Sequence, residues 1–183
     1  MGHPHQSGQP YDHAQALVDL LLWMRTNSSL PPIVAVGHRV VHGGAIYAHP
    51  QLIDSDTLAQ LEQFSPLAPL HQPHNLAGIR ALASTAPDLP QVACFDTAFH
   101  LQQPDLAQVF AIPRQYRDEG VRRYGFHGLS YEYVASQLPT LLGDTGGRTV
   151  VAHLGNGSSM CAMRDGVSMA STMGFTAVEG LPM

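Results

Sequence analysis

The hydrophobic positions of this chain form short continuous runs and stretches with helical spacing. Apolar residues three and four positions apart predict a helix from Asp12 to Arg25. The buried stripe of this helix is expected to comprise Leu17, Leu20, Leu21 and Met24. Two uninterrupted apolar runs, Ile33–Val36 and Val92–Phe95, are typical of strands that are buried on both faces.

Capping residues and prolines mark the elements between and after these strands. Asp54 and its neighbours predict the start of a helix that runs to about Phe64. The prolines between residues 66 and 73 then predict an extended segment before a helix near Asn75–Ser84.

The C-terminal half of the chain contains a further helix and strand pattern. Ser130 is a candidate N-cap for a helix to Leu138, and Thr149–Leu154 is a candidate strand. Asp165-Gly166 is a strong hairpin signal between two short apolar segments. Strands that alternate with helices indicate an α/β or α+β class. A chain of 183 residues is long enough for one domain with a core.

Composition excludes several classes of function. The net charge of −5 argues against a nucleic-acid partner, and no apolar run approaches the ~20 residues of a membrane span. All nine basic residues are arginine, so a lysine cannot bind phosphate or form a Schiff base here. Cys94 and Cys161 have apolar neighbours, which predicts buried, reduced thiols in a cytoplasmic protein.

A glycine-rich segment follows the strand that ends near residue 154. His153 is the single polar ring in an apolar run, and Leu154-Gly155-Asn156-Gly157 comes directly after it. Glycine allows close backbone approach and positive φ, so N–H groups can surround an anion. The segment predicts a loop that binds phosphate.

Two further strands end in charged residues. Arg39 lies between glycines after Ile33–Val36, where open α/β sheets bind ligands. Its planar fork suits a carboxylate or phosphate, although it could instead pair with a structural carboxylate. Asp96 follows Val92–Phe95 and could orient a nucleophile, take a proton or hold Mg²⁺; the alternative is an N-cap or Asx-turn.

Histidine supplies the remaining candidate chemistry. His127 lies between Gly125-Phe126 and Gly128 and could donate to a developing negative charge, or simply be packed in a turn. The eleven histidines also allow a zinc hydrolase as an alternative. The spacings His3/His5, His38/His42 and His71/His74 do not form the ligand pattern of such sites.

Six ordered motifs resemble the acetate kinase family. They are VGHRVVHGG at Val36–Gly44, LAPLHQPHNLAGI at Leu67–Ile79, FDTAFH at Phe95–His100, YGFHGLSYEYV at Tyr124–Val134, VVAHLGNGSSM at Val150–Met160 and STMGFTAVEGLPM at Ser171–Met183. The resemblance implies an RNase H-like lobe of the actin-like ATPase superfamily. It also implies transfer of the γ-phosphoryl group of ATP, with Mg²⁺, to acetate or propionate.

The resemblance assigns roles by position in this chain. Arg39 matches the arginine that binds the carboxylate and the phosphoryl group, and Asp96 matches the active-site acid. His127 matches the histidine that stabilises the transition state. The implied substrate pocket comprises Val41, Leu70, His71 and Phe126. The implied phosphate loop comprises His153, Leu154, Gly155, Asn156 and Gly157.

Departures from the family pattern limit what the resemblance implies. The first strands, the second lobe and most Mg²⁺ ligands of the family have no counterpart here, so residues 12–183 are expected to form a partial N-terminal lobe after a disordered lead-in, residues 1–11. Such a polypeptide is expected to be inactive alone. A non-catalytic or split-enzyme subunit is the alternative, and a homodimer is possible. Ala177 replaces a common proline, a hint toward propionate, and Leu129–Tyr131 replaces Thr-Ser-His.

Overall fold

The computed structural model describes residues 13–27, 29–143 and 147–182. The expected lead-in, residues 1–11, and the His3/His5 pair lie outside these ranges. Within them the chain forms five α-helices and six β-strands. This confirms the predicted α/β class. No helix in the described ranges is long and apolar enough to cross a membrane.

The first helix, α1 (His13–Thr26), packs against the helix that spans residues 72–85. Leu21 is buried against Leu82 and Ala86, and Leu17 joins this cluster. Leu20 is half exposed, so the predicted stripe is narrower than the apolar spacing indicated. The reason is that α1 contacts the rest of the fold on one side only.

The first sheet contains β1 (Val36–Val40), β2 (Gln51–Leu52) and β3 (Gln91–Phe95) in the order β1-β3-β2. Strands β1 and β3 are parallel, and β2 is antiparallel to β3. The predicted strand at Ile33–Val36 is wrong in position, because β1 begins at Val36 and Val34 is 77% exposed. The polar residues His38 and Arg39 therefore lie within the strand instead of after it.

Two helices cover this sheet. Helix α2 (Ser55–Glu62) begins at the predicted cap, where the Asp54 carboxylate accepts a hydrogen bond from Thr57 N. Helix α3 (Gln72–Thr85) begins three residues earlier than predicted, with Pro73 in its first turn. Proline is tolerated there because the first N–H groups of a helix have no intrahelical acceptor. The core between these layers comprises Val40, Tyr47, Leu61, Leu76, Ile79, Ala93 and Phe95.

The polypeptide then crosses to the second half of the fold through short helices. A 3-10 turn at Ala98–His100, a second at Asp105–Gln108 and α4 (Arg114–Asp118) lead to α5 (Gly128–Leu142). The residue that precedes α5 is His127, in the left-handed region at φ 60°, so the predicted cap at Ser130 is wrong. Helix α5 ends at Leu142, and the capping residue Gly143 that follows has φ 77°.

The second sheet contains β4 (Arg148–Leu154), β5 (Ser158–Arg164) and β6 (Val167–Ser171), all antiparallel. The predicted hairpin at Asp165-Gly166 is confirmed. Asp165 and Gly166 both have positive φ, 54° and 78°, as a type I′ turn requires. This sheet packs against α5 through Tyr131, Cys161 and Met163.

Candidate functional site

The parallel pairing of β1 and β3 brings a guanidinium and a carboxylate together at one edge of the sheet. Arg39 is next to last in β1, and Asp96 follows β3, where its N–H donates to Val40 O. Arg39 Nε lies 3.0 Å from Asp96 Oδ2 and 3.3 Å from Oδ1, and Arg39 Nη2 lies 2.6 Å from Oδ2. The carboxylate side chain is 2% exposed, whereas that of Arg39 is 61% exposed. Arg39 therefore neutralises a buried charge and still presents nitrogen atoms to solvent.

The sequence left two partners open for Arg39, a ligand or a structural carboxylate, and the pair with Asp96 bears on both. Arg39 does bind a carboxylate of its own chain, but that carboxylate is Asp96, the second candidate residue. Among the described residues, the Asp96 side chain contacts Arg39 and makes none of the backbone hydrogen bonds of an Asx-turn. The Asx-turn interpretation therefore finds no support.

The start of α5 is docked directly against Asp96. Gly128 N donates to Asp96 O at 2.8 Å. A Cβ atom at Gly128 would lie 2.2 Å from that oxygen, so only glycine fits there. The neighbouring His127 adopts a left-handed backbone, which is uncommon for residues other than glycine. The close approach of α5 thus places His127 next to the Asp96 backbone, and both side chains line one cleft.

Two histidine rings lie face to face in the site. The centroids of His127 and His153 are 4.1 Å apart, with 22° between the ring planes. His127 Nδ1 lies 2.8 Å from Ser159 Oγ, and His153 Nδ1 lies 3.0 Å from Ser130 Oγ. Burial, and secondarily His153, lower the pKa of His127 from its ordinary value, while Asp96 opposes that shift. The neutral form of His127 is therefore favoured near pH 7.

The predicted phosphate loop is the tight turn between β4 and β5. Neither Gly155 nor Gly157 is among the glycines with positive φ, and Gly155 N donates to Gly157 O at 3.1 Å. The Gly155 N–H, one of the groups expected to bind an anion, therefore already donates to an acceptor within the turn. A Cβ at Gly155 would lie 3.2 Å from His153 Nε2, so glycine leaves room for that ring.

An open cleft of about 640 Å³ connects these features. Nine of the twelve predicted site residues line it, namely Arg39, Val41, His71, Asp96, Phe126, His127, His153, Asn156 and Gly157. The other three, Leu70, Leu154 and Gly155, do not line it, and Leu70 is 76% exposed.

One side of the cleft is apolar. Val41, Phe126 and Met173 are buried in one cluster, with Ala177 partly buried against it. Met173 was not predicted, because nothing in its sequence surroundings distinguishes it from a core methionine. Leu129, Ser130 and Val178 also line the cleft without having been predicted.

Two side-chain amides and a hydroxyl bind the backbone of the segment that carries Val41. Asn75 Oδ1 accepts from Val41 N at 3.0 Å, and Thr97 Oγ1 accepts from Gly43 N at 3.0 Å. Gln72 accepts from His42 N and donates to His42 O. Beyond Val40, where strand pairing has ended, these side-chain hydrogen bonds hold the backbone in place. No motif or spacing in the sequence predicted them.

Two fully buried histidines, His42 and His100, form hydrogen bonds with backbone groups close to residues that line the cleft. His100 Nε2 lies 2.9 Å from Phe126 O and so donates to it, while Nδ1 contacts Ser168 Oγ at 2.8 Å. His42 Nδ1 accepts from Gly44 N at 2.9 Å, and the His42 ring lies against Tyr124. Burial lowers the pKa of each ring to about 4. Both are therefore neutral structural residues near pH 7.

The zinc alternative gains no support from the described residues, in which no three histidine, cysteine, aspartate or glutamate side chains form a ligand group. His38 Nε2 contacts Gln91 Oε1, and His42 Nδ1 is taken by a backbone N–H. Glu179, for which the sequence indicated no role, forms an ion pair with Arg123 at 2.6 Å.

A cleft at strand ends of an α/β fold, lined by guanidinium and imidazole groups, has the features of a binding site for a small anion. The model of the acetokinase family matches residues 3–183. The acetate kinase of Methylocella silvestris is 55% identical over 172 residues, which are 93% of this chain and 43% of that protein.

Solved structures agree with the sequence match. A propionate kinase from Francisella tularensis superposes with a TM-score of 0.87 at 41% identity, covering 93% of this chain and 45% of that one. An acetate kinase from Porphyromonas gingivalis gives 0.81 at 38% identity, covering 94% and 45%. The chain belongs to the acetokinase family, which confirms the resemblance. It spans less than half the length of these relatives.

Proposed function

We propose that this cleft binds the carboxylate substrate and the transferring phosphoryl group of an acetate or propionate kinase reaction. The observation that carries the proposal is the convergence of Arg39, Asp96 and His127 on one cleft that also has an apolar side. A small aliphatic acid needs both a cationic partner for its carboxylate and an apolar surface for its tail. The chemistry is ATP plus acetate to ADP plus acetyl phosphate.

Transfer of a phosphoryl group depends mainly on positioning and on neutralisation of charge on its oxygens. Arg39 supplies a planar donor whose orientation is fixed by Asp96. His127 Nδ1 contacts Ser159, so its Nε2 atom is the one left to face a ligand. We assign Asp96 the role of orienting Arg39, since both of its oxygens already accept from the guanidinium.

ATP and Mg²⁺ are expected for the family, and ATP supplies the phosphoryl group. Asp96 is the single carboxylate among the described residues that line the cleft, and Arg39 occupies its oxygens. Mg²⁺ in proteins is often held by one or two carboxylates together with substrate phosphates. The cleft therefore fits a Mg²⁺ ion held mainly by phosphates, with Asp96 as at most one protein ligand. Asn156 and Gly157 are the loop residues placed to contact those phosphates.

The apolar side of the cleft is the proposed site for the acyl tail. Val41, Phe126 and Met173 form it, and Ala177 leaves space next to them. One methylene changes binding by only ~1–3 kcal/mol, so acetate and propionate are both substrates in this proposal. The role of Leu70 in the substrate pocket stays a prediction, and the position of its exposed side chain does not support it.

The organisation of the chain follows from the same proposal. Residues 12–183 form one lobe, and the nucleotide is held between this lobe and a second one, as the resemblance implies. A homodimer remains a proposal of the same kind. Cys94 and Cys161 are both free thiols, which accords with a cytoplasmic location.

Binding of acetyl phosphate tests the proposal without requiring a nucleotide. Acetyl phosphate contains both the acyl and the phosphoryl group, and calorimetric titration measures its Kd for the 183-residue chain. We expect Arg39→Gln to weaken binding by about ten- to hundredfold, because a hydrogen bond to a charged group contributes ~1.5–3 kcal/mol.

Arg80→Gln is the matched control, since Arg80 forms an exposed pair with Glu62 away from the cleft. The control should bind acetyl phosphate like the wild type, and circular dichroism should confirm that both variants are folded. Equal affinity in the two variants, or no binding by the wild type, would contradict the proposal.

A further inference from the structure

A chain of two buried hydroxyl groups leads to the His127 ring. Tyr131, in the first turn of α5, and Ser159, on β5, are both fully buried. Tyr131 Oη contacts Ser159 Oγ, and Ser159 Oγ lies 2.8 Å from His127 Nδ1. The order of contacts is therefore tyrosine, serine, histidine.

The requirement that buried donors be satisfied sets the direction of these hydrogen bonds. Burial raises the pKa of Tyr131, so the phenol keeps its proton at neutral pH. Within the described residues, Ser159 is the only side-chain partner of that hydroxyl, so Tyr131 donates to Ser159. Ser159 in turn has one proton to donate, and its remaining partner is His127 Nδ1. Any other arrangement leaves a buried hydroxyl proton without an acceptor, which is costly.

We propose that Ser159, whose hydroxyl accepts from Tyr131, is the positioning residue that holds His127 as the neutral tautomer with its proton on Nε2. The proposal rests on the proposed function, because Nε2–H is then the donor offered to the phosphoryl group. A neutral imidazole carries one donor and one acceptor nitrogen. Fixing Nδ1 as the acceptor leaves Nε2 as the donor.

The groups around His127 also favour a neutral ring. His153 stacks on one face at 4.1 Å. His153 and Arg39 both disfavour a positive charge on His127, and Asp96 favours it. Asp96 is itself paired with Arg39, which limits its pull on the ring. Together with burial, the largest cause, these groups lower the pKa of His127, so the hydroxyl chain acts on a ring that is mainly neutral near pH 7.

Nitrogen NMR of the histidine rings tests this assignment directly. In the ¹⁵N-labelled chain, the His127 signals are identified by their loss in His127→Gln. At pH 7.5 we expect the chemical shift of Nδ1 to be that of an unprotonated ring nitrogen and the chemical shift of Nε2 to be that of a protonated one. Ser159→Ala removes the hydroxyl that donates to Nδ1, so the Nδ1–H tautomer should gain about fivefold, the effect of one ordinary hydrogen bond. Tyr131→Phe leaves Ser159 with its own proton to donate to Nδ1, so His127 should keep its proton on Nε2 in that variant.

Ser136→Ala is the matched control, because Ser136 is exposed on α5 and its hydroxyl donates to Tyr133 O. It should leave the His127 signals unchanged. Ser159→Cys, whose thiol is a weaker donor, should shift the tautomer in the same direction as Ser159→Ala and decides if the alanine variant does not fold. A wild-type ring protonated on Nδ1, or a tautomer ratio unaffected by loss of the Ser159 hydroxyl, would overturn the proposal.

The result of the NMR experiment can be distinguished from the result of the acetyl phosphate titration. The tautomer is measured without any ligand, so it can be confirmed even if acetyl phosphate does not bind. In the opposite case, acetyl phosphate binding together with an unchanged tautomer ratio in Ser159→Ala overturns the positioning role alone.

Discussion

Acid should destabilise this protein through His42 and His100. Both rings are buried, and their pKa in the folded chain is about 4, against 6.5 ordinarily. The unfolded chain therefore binds more protons than the folded chain between pH 6.5 and 4. Stability is complete above pH 6.5 and falls as the pH approaches 4. For His100, Asp96 opposes this shift and His127 reinforces it, but burial is the largest cause.

The size of the effect follows from the two pKa values. At pH 5 each histidine should lower the free energy of unfolding by about 2 kcal/mol relative to pH 7.5. The two together remove about 4 kcal/mol, a large share of the ~5–15 kcal/mol that holds a typical domain folded. His42 contributes because the charged ring would be desolvated among Tyr124 and Phe64.

Urea unfolding followed by circular dichroism at pH 7.5 and pH 5 measures this loss. The His42→Gln variant should lose about 2 kcal/mol less between the two pH values than the wild type, whatever its absolute stability. His74→Gln is the control, since His74 is exposed on α3, and should lose as much as the wild type. A wild type equally stable at both pH values, or a His42→Gln variant with the full loss, would refute the reasoning.

Two other predictions concern the glycine at the start of α5 and turnover. Gly128→Ala should lower the free energy of unfolding by about 3 kcal/mol or more, because its Cβ would lie 2.2 Å from Asp96 O. Gly78→Ala is the control and should raise that free energy by up to ~1 kcal/mol, since a Cβ there has nothing within 4 Å. Urea unfolding compares the two variants, and equal effects would contradict the close approach at Gly128. In a hydroxamate assay with ATP, Mg²⁺ and acetate, the 183-residue chain by itself should turn over below about 1 s⁻¹, and a rate inside the usual kinase range of about 1–100 s⁻¹ would show that these residues suffice.

The positions of Asp96 and Arg39 could be predicted because each lies at or next to the end of a strand. Asp96 comes directly after a buried apolar run, and the parallel partner strand carries Arg39 to the same edge. The apolar pattern placed that second strand wrongly, since Val34 is exposed and the strand runs through His38 and Arg39. The error did not affect the site, because parallel strands end at a common edge.

Contacts that depend on tertiary packing could not be predicted. Ser159 faces His127 because of the register between β4 and β5 and the docking of α5. Gln72, Asn75 and Thr97 hold the segment after β1 from elements far apart in the sequence. Leu70 and His71 are neighbours, yet only His71 lines the cleft, because the turn before α3 directs them differently.

The central claim is that Arg39, Asp96 and His127 form one site for an acyl phosphate. A structure of the chain with acetyl phosphate bound tests it most directly. We predict the phosphoryl oxygens within hydrogen-bond distance of the Arg39 guanidinium and of His127 Nε2, with the methyl group against Val41 and Phe126. Acetyl phosphate bound elsewhere, with this cleft empty at saturating concentration, would contradict the claim.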